Sequence, residues 1–522
     1  MREFKVLLSA FGSVLNTVLT TAARETAMDP YRHGLALAAR GALAEAIDSF
    51  ERALVRAPDD VRVLFALGNA ARDLDMPQPA EMFFRRVLRA DPARIEALVN
   101  LVNLLRAQGR FDAAYALLAP ALQDNPQSHE LWLTLGGLHR ETGADGDAER
   151  CFERVLALKP DCVAALVNRA DLLADKGNAD EAFALYDRAL KHGADPQARL
   201  NRAVLHLLQG NLAQGWRDYE ARLRLRGKVP MANHGLRRWD GKLRKGLVLM
   251  VTAEQGIGDQ IMFASQIPEL AEQARVILEC EPRLVTLFQR SFPTVTVHAW
   301  DAQTTVGTAR TRFGWLKALG GANAAIEMGS VAKFLRPALE RFRRPHSYLV
   351  PDAAETARWR GVFGPGPAIG LCWRSGKLGG GRAVQFAPLA AWAKFARGLD
   401  DTIVSVQYDA TPDEIAELTV LSGKEVVVPQ GLDQKHEIDR SCAMLSALDA
   451  VVSAPTAVSW LAAAADVPTC KIVRDSSWTS FGCDFEPFAP ACTVAAPKIR
   501  GDWDDAFSRA LSLLGARSAP HA

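Results

Sequence analysis

The feature that most constrains this chain is a 34-residue period through its first half. Phe50, Ala53 and Pro58 are followed by Phe84, Val87 and Pro92. Leu118, Ala121 and Pro126 come next, then Phe152, Val155 and Pro160. Small residues keep the same register. Gly34, Gly68 and Gly136 fall in one helix, Gly41, Gly109, Gly143 and Gly177 in a turn, and Ala46, Ala80, Ala114, Ala148 and Ala182 in a second helix. Small residues let two antiparallel helices approach closely. The aromatic or leucine fills the gap toward the next copy, and proline stops the second helix. A fifth copy reaches Tyr186 and Ala189 and leaves through Gly193 and Pro196. A looser sixth holds Gly210, Gly215 and Tyr219.

The period is that of tetratricopeptide repeats, so an α-solenoid is expected over residues 29–226. Such arrays bind segments of other proteins in a concave groove, or act as spacers and self-association surfaces. Asn100, Asn103, Asn168 and Asn201, with Arg169, lie on the first helices of their copies. Asparagine amides there suit hydrogen bonding to an extended peptide, and ordinary solvated helix faces account for them equally well. Before the repeats, Met1, Arg2 and Lys5 precede an apolar stretch from Val6 to Val18, the outline of a signal peptide. Ser9, Ser13, Asn16 and Thr17 interrupt it and Thr20–Arg24 is a poor cleavage site, so residues 1–28 are expected to form an amphipathic leader helix.

At 522 residues the chain exceeds one core of usual size. Its 62 basic and 60 acidic side chains leave a formal charge of +2, which argues against a nucleic-acid partner held by a strongly basic surface. No apolar run is long enough for stable membrane insertion. The eight cysteines contain no C-x-x-C pair, so no metal site is expected. Their dilution suits free thiols in a reducing, cytoplasmic setting.

After Tyr219 the texture changes. Residues 227–245 read as a basic connector containing Trp239-Asp240-Gly241. Gly246–Ala253 is then a continuous apolar run of the kind a buried parallel strand shows. Glu254-Gln255-Gly256-Ile257-Gly258-Asp259 follows, and a helix from Gln260, the opening of a βαβ unit. Strands are expected at 274–280 and 294–300, with helical or irregular chain to about Pro345. A second series starts at Ala368–Trp373 and continues with strands at 402–408, 425–429, 449–454 and, as the last, 469–474. Two doubly wound α/β domains are therefore expected, 246–350 and 351–515, with a tail at 516–522. A cleft then lies between their carboxyl strand ends.

Several residues can act in that cleft. The glycines of 254–259 admit a ligand closely, so Glu254, Gln255, Gly256 and Gly258 are expected to form an acceptor-side loop, and a carboxylate there does not bind phosphate. Asp259 suits a general base toward an acceptor hydroxyl, or a plain helix cap. Arg374, Lys377 and Arg382 in the glycine-rich loop after Trp373 suit a phosphate, with Ser375 donating to it, although a merely solvated loop is the alternative. Pro455-Thr456-Ala457 begins a helix at a strand end, an anion site or a plain cap. Gln407 and Tyr408 end a strand on the same cleft and suit flanking a base or sugar.

Gly215-Trp216, Tyr219-Glu220-Ala221-Arg222, Trp239-Asp240-Gly241, Glu254–Asp259, Trp373 and Thr456-Ala457-Val458 occur in the order seen in bacterial tetratricopeptide-repeat glycosyltransferases. The chain resembles that group from about residue 29 to 515. Its second half is similar to heptosyltransferases, which implies the GT-B pair of Rossmann-like domains. Trp373-Arg374-Ser375-Gly376, Val406-Gln407-Tyr408, Ala454–Val458, Trp478-Thr479, Gly482 and Asp484 resemble flagellin glycosyltransferases. That likeness implies a nucleotide-sugar donor rather than a cofactor, foremost a CMP-activated nonulosonic acid such as pseudaminic acid, with UDP- or GDP-sugars as alternatives. It also implies Ser or Thr of flagellin as acceptor, recruited by the repeats. By position Asp259 matches the heptosyltransferase base, and Thr456 and Ala457 the donor-phosphate turn. Pro455 and Trp460 replace an Asp and a His found in many relatives, and Arg-Ser-Gly replaces Ala-Gly-Asn after Trp373. The alternatives are a non-catalytic adaptor with a degenerate nucleotide-sugar domain and a glycan-directed glycosyltransferase.

Overall fold

The computed structural model describes residues 29–193, 195–225, 234–254, 256–300, 313–342, 347–376 and 382–515. The expected leader helix, the start of the connector and the tail lie outside them. The chain divides into two compact units, residues 1–160 and 161–522.

The first unit holds four helix pairs: Pro30–Ala39 with Leu43–Arg56, Val61–Asp73 with Pro77–Ala90, Ile95–Ala107 with Phe111–Asp124, and His129–Glu141 with Asp145–Leu158. Close approach explains the glycines of the first helices. A Cβ at Gly34, Gly68 or Gly136 would lie 2.5, 2.6 or 2.5 Å from the ring of Phe50, Phe84 or Phe152. The third pair reverses the sizes: Val102 stands in the glycine's place, Leu118 in the phenylalanine's, and both are fully buried. Each turn between the paired helices needs a left-handed residue, supplied by Gly41, Gly109 and Gly143 at φ 79, 72 and 78°. Asp75 occupies the equivalent place in the second pair at φ 57°.

The second unit opens with two more pairs, Val163–Asp175 with Ala179–His192 and Pro196–Leu208 with Leu212–Tyr219. A boundary at 226 is therefore not where the structure divides. The reason is apolar: Leu207, Leu212 and Trp216 lie in the same core as Leu249, Val251 and Phe263 of the sheet region. Trp216 is buried, donates its indole N–H to the Arg336 carbonyl at 2.7 Å, and meets Phe263, Phe481 and Phe488 edge-on.

Two parallel sheets follow. The first contains β1 (Val248–Thr252), β2 (Arg275–Cys280), β3 (Thr296–Ala299) and β4 (Ala324–Glu327), in the order β3-β2-β1-β4. Leu249 stands opposite Val276 on one side and Ala324 on the other. The second contains β5 (Ala368–Cys372), β6 (Thr402–Ser405), β7 (Val426–Val427), β8 (Ala450–Ser453), β9 (Thr469–Ile472) and β10 (Cys492–Ala495). Its order, β10-β9-β8-β5-β6-β7, is the doubly wound one. Strand order reverses between β1 and β4 and again between β5 and β8, and these are the crevices where such sheets take ligands.

Two strands lie where the sequence reading had none. β4 falls in chain expected to be irregular, and β10 follows the strand expected to be last. Ala-Ala-Ile-Glu is short and alanine-rich, with weak intrinsic strand preference, so long-range pairing makes it a strand. Beyond β1, the described part of the connector also pairs with it. Trp239 N–H donates to the Ala325 carbonyl at 2.8 Å, Ala325 N–H to the Arg237 carbonyl at 3.0 Å, and the Trp239 side chain is buried. Seven of the eight cysteines are buried, and burial pushes the Cys372 thiol up to about 11 and the Cys442 thiol to about 12. Among the described residues no helix is long and apolar enough to cross a membrane.

Candidate active site at the strand ends

β1 leads through Glu254 to Gly256, which caps the helix Ile257–Ala264. Asp259 is the third residue of that helix, and its carboxylate reaches back to the Gly256 N–H, half of a capping box. A Cβ at Gly256 would lie 2.6 Å from Oδ2 of Asp259, so a side chain there would require the Asp259 carboxylate to shift. Asp259 is exposed on the cleft side, while the protein packed densely around it still displaces part of the water its carboxyl would otherwise have. That desolvation, and then the negative charge of Glu254, push its carboxyl up to about 6 against the pull of Arg222 and the Gly256 N–H. A carboxyl at that value is half-ionised just below neutrality, where a general base works best.

Glu254 does not face the cleft, contrary to the acceptor-side role expected of it. It is 4 % exposed, and its Oε1 accepts from Arg222 Nη2 at 2.7 Å and from the Gly329 N–H at 2.9 Å. Arg222 also donates to Ser330 Oγ at 3.0 Å and lies over the Tyr219 ring. The Tyr-Glu-Ala-Arg segment after the last repeat helix is thus a latch into the β1 loop. Gln260 adds a second brace, donating to the Glu254 carbonyl at 2.7 Å and accepting from the Glu281 N–H at 2.9 Å.

β8 ends at Ser453, and Thr456 caps the helix Ala457–Ala464 with its Oγ1 accepting from the Val458 N–H at 3.3 Å. This helix packs on Ile257–Ala264. A Cβ at Gly258 would lie 3.5 Å from Ala457 Cα, ordinary van der Waals distance, so the two switch-point helices approach to about one methyl group there. A cavity of about 620 Å³ then brings together Gly258, Asp259, Ser375, Pro455, Thr456 and Ala457. A second, of about 330 Å³, shares Ser375 and Ala457 and adds Gly256 and Tyr408. Both are of ligand size.

Other expected donor residues point elsewhere. Arg374 is held by Glu414, Nε to Oε1 at 2.5 Å and Nη2 to Oε2 at 2.7 Å, and by Asp409 at 2.9 Å. Two carboxylates neutralise the guanidinium, so it locks a loop instead of presenting charge to a phosphate. Trp373 is buried and donates to Glu414 at 3.2 Å. Gln407 is 2 % exposed, accepts from the N–H groups of Trp373 and Arg374, both at 3.0 Å, and donates to the Arg374 carbonyl at 2.9 Å. It is buried and shapes the backbone of residues 373–374, in place of the flanking role expected of it. Tyr408 lines the smaller cavity while its hydroxyl accepts from the Gly376 N–H. Gln255, Lys377 and the Arg382 side chain lie outside the described residues.

The asparagines divide. Asn100 donates to Asn69 at 2.9 Å, and Asn201 donates to Asp171 at 2.9 Å and accepts from Gln197 at 2.6 Å, so both serve contacts within their own units. Asn103 and Asn168 are half-buried.

The large cavity also holds three residues that sequence reasoning passed over, Lys471, Arg474 and Ser477, together with Trp478 of the quoted motif. Lys471 in the middle of buried β9 was the available signal, since lysine is almost never fully buried without a partner. Its ammonium is 2.6 Å from Glu486 and 4.0 Å from the centre of the Trp460 ring. Trp460 therefore covers a buried ion pair.

Models of the tetratricopeptide repeat match residues 31–95, 71–135, 105–170 and 146–199. Protein FlbA of Caulobacter vibrioides is 32 % identical over 496 residues, which covers 92 % of this chain and 83 % of that protein. Human tetratricopeptide repeat protein 7B is 29 % identical over 119 residues, 23 % of this chain and 14 % of that one. Among solved structures, a thermophilic tetratricopeptide protein of Thermus thermophilus is 28 % identical over 34 % of this chain and 97 % of its own, with a TM-score of 0.31.

Proposed function

Because the chain belongs to the family of Protein FlbA, similar to it across both the repeats and the sheets, we propose one activity that uses both halves. The protein is a metal-independent GT-B-type O-glycosyltransferase. It moves a nonulosonic acid from a CMP-activated donor onto Ser or Thr of flagellin, which the repeats recruit in the cytoplasm. The observation that carries the transferase reading is the cavity in which Asp259, with its carboxyl raised to about 6, shares one space with the Thr456 helix start. Two parallel sheets whose reversal-point helices pack on each other support the GT-B arrangement. The flagellin acceptor and the CMP donor rest on the motifs Trp373–Gly376, Val406–Tyr408 and Ala454–Val458.

In the reaction, the acceptor hydroxyl gives its proton to the Asp259 carboxylate as its oxygen attacks the anomeric carbon. The bond from that carbon to the donor phosphate oxygen breaks, and CMP departs with the bonding electrons. The amino end of Ala457–Ala464 favours the charge that develops on the phosphate. The test is purified full-length protein with flagellin and a CMP-activated nonulosonic acid, read by intact mass. The mass of one sugar residue per modified site is expected with the native chain. Asp259→Asn is expected to lose about 10²–10⁴-fold in rate while still binding flagellin. An unmodified flagellin under native enzyme, or full turnover by Asp259→Asn, overturns the reading.

A further inference from the structure

The cations near the cleft are not equivalent. Arg374 is neutralised by Glu414 and Asp409. Lys471 is neutralised by Glu486 and covered by Trp460. Arg474, at the carboxyl end of β9, also lines the cavity that contains Asp259, and it is half-buried. The carboxylate beside it in sequence, Asp475, is 3.1 Å from Arg500, which also pairs with Asp175 at 3.3 Å. No carboxylate among the described residues pairs with Arg474. A guanidinium kept half-buried without an anion carries a desolvation cost that a bound oxyanion would offset, and its planar fork fits carboxylate and phosphate alike. The neighbouring carboxylate is engaged by Arg500, so the positive charge of Arg474 stays available to the cavity.

We propose that Arg474 is the anion-binding residue of the donor subsite: its guanidinium takes an oxyanion of the nucleotide-sugar in the cavity that Asp259 and Trp478 also line. This rests on the transferase reading above. The oxyanion is either the donor phosphate or the carboxylate that an acidic sugar carries at its anomeric carbon, two groups with one recognition chemistry.

The experiment measures binding of two probes, CMP and a CMP-activated nonulosonic acid, by titration calorimetry on the full chain. Native protein is compared with Arg474→Gln and Arg474→Lys. Arg474→Gln is expected to weaken the CMP-sugar about tenfold to a hundredfold. An equal loss for CMP assigns the contact to phosphate, and unchanged CMP affinity assigns it to the sugar carboxylate. Either result supports the proposal. Arg474→Lys keeps the charge but not the fork, and is expected to lose about threefold to tenfold. That variant decides the matter should Arg474→Gln melt below the native protein. Native affinity for both probes in the variants overturns the subsite and leaves the transferase reading standing. A native protein that binds neither probe overturns both.

Discussion

The hairpins of residues 29–160 and the cleft of the second unit are held by contacts of different reach. In a hairpin the decisive pair lies close in sequence: Gly68 faces the ring of Phe84 across a single turn. In the cleft, Arg222 meets Glu254 32 residues on, Trp373 meets Glu414 41 residues on, and Trp216 meets Arg336 120 residues on. A change in a hairpin should therefore stay local and be repairable by its neighbour. A change at the cleft should loosen several elements and the site together.

The largest effect is expected at the latch. Arg222→Ala leaves Glu254 as an uncompensated buried charge and should cost about 3–5 kcal/mol, read by denaturant unfolding. Trp216→Ala should cost a similar ~3–5 kcal/mol by emptying an aromatic cluster that joins the last repeat to both sheets. If the repeats and sheets of the second unit were independent, either variant would give two separate transitions with one unmoved.

The hairpins should respond less, and reversibly. Gly68→Ala forces Phe84 to shift and should cost about 1–3 kcal/mol. Adding Phe84→Leu should restore part of that loss, since the third hairpin already combines Val102 with Leu118. A double variant no better than the single would break the size-matching account. Asp75→Gly should stabilise by about 0.5–1 kcal/mol, because Asp75 adopts the left-handed φ that glycine supplies in the other turns.

The same difference of reach explains what could be read in advance. The repeats were legible because the copies restate one local rule, down to the glycine at every turn but the second, where Asp75 stands. The parallel sheets were legible from their apolar runs, except β4 and β10, which are short and depend on partners far along the chain. Asp259 and Thr456 were legible from their place at a strand-to-helix switch. Arg374 was not, because its carboxylates come from Asp409 and from Glu414 in a capping box. Arg474 became visible only once Arg500 was seen to hold Asp475.

Asp259 also links chemistry to stability. Its folded carboxyl value, about 6, lies above its ordinary value, so between roughly pH 4 and 6 the folded chain holds a proton that the unfolded chain releases. Its contribution therefore turns unfavourable as pH rises through that window and stays so above it. Asp259→Asn should melt higher than the native protein at pH 7.5, with the difference vanishing below pH 4.

The central claim, that Asp259 is a base tuned by partial desolvation and by the charge of Glu254, is tested most directly by the pH dependence of kcat/KM for sugar transfer. The account predicts a rate that falls about tenfold per pH unit below about pH 6, and Asp259→Asn inactive across the range. A profile flat from pH 5 to 8, or a variant that turns over at the native rate, would contradict it.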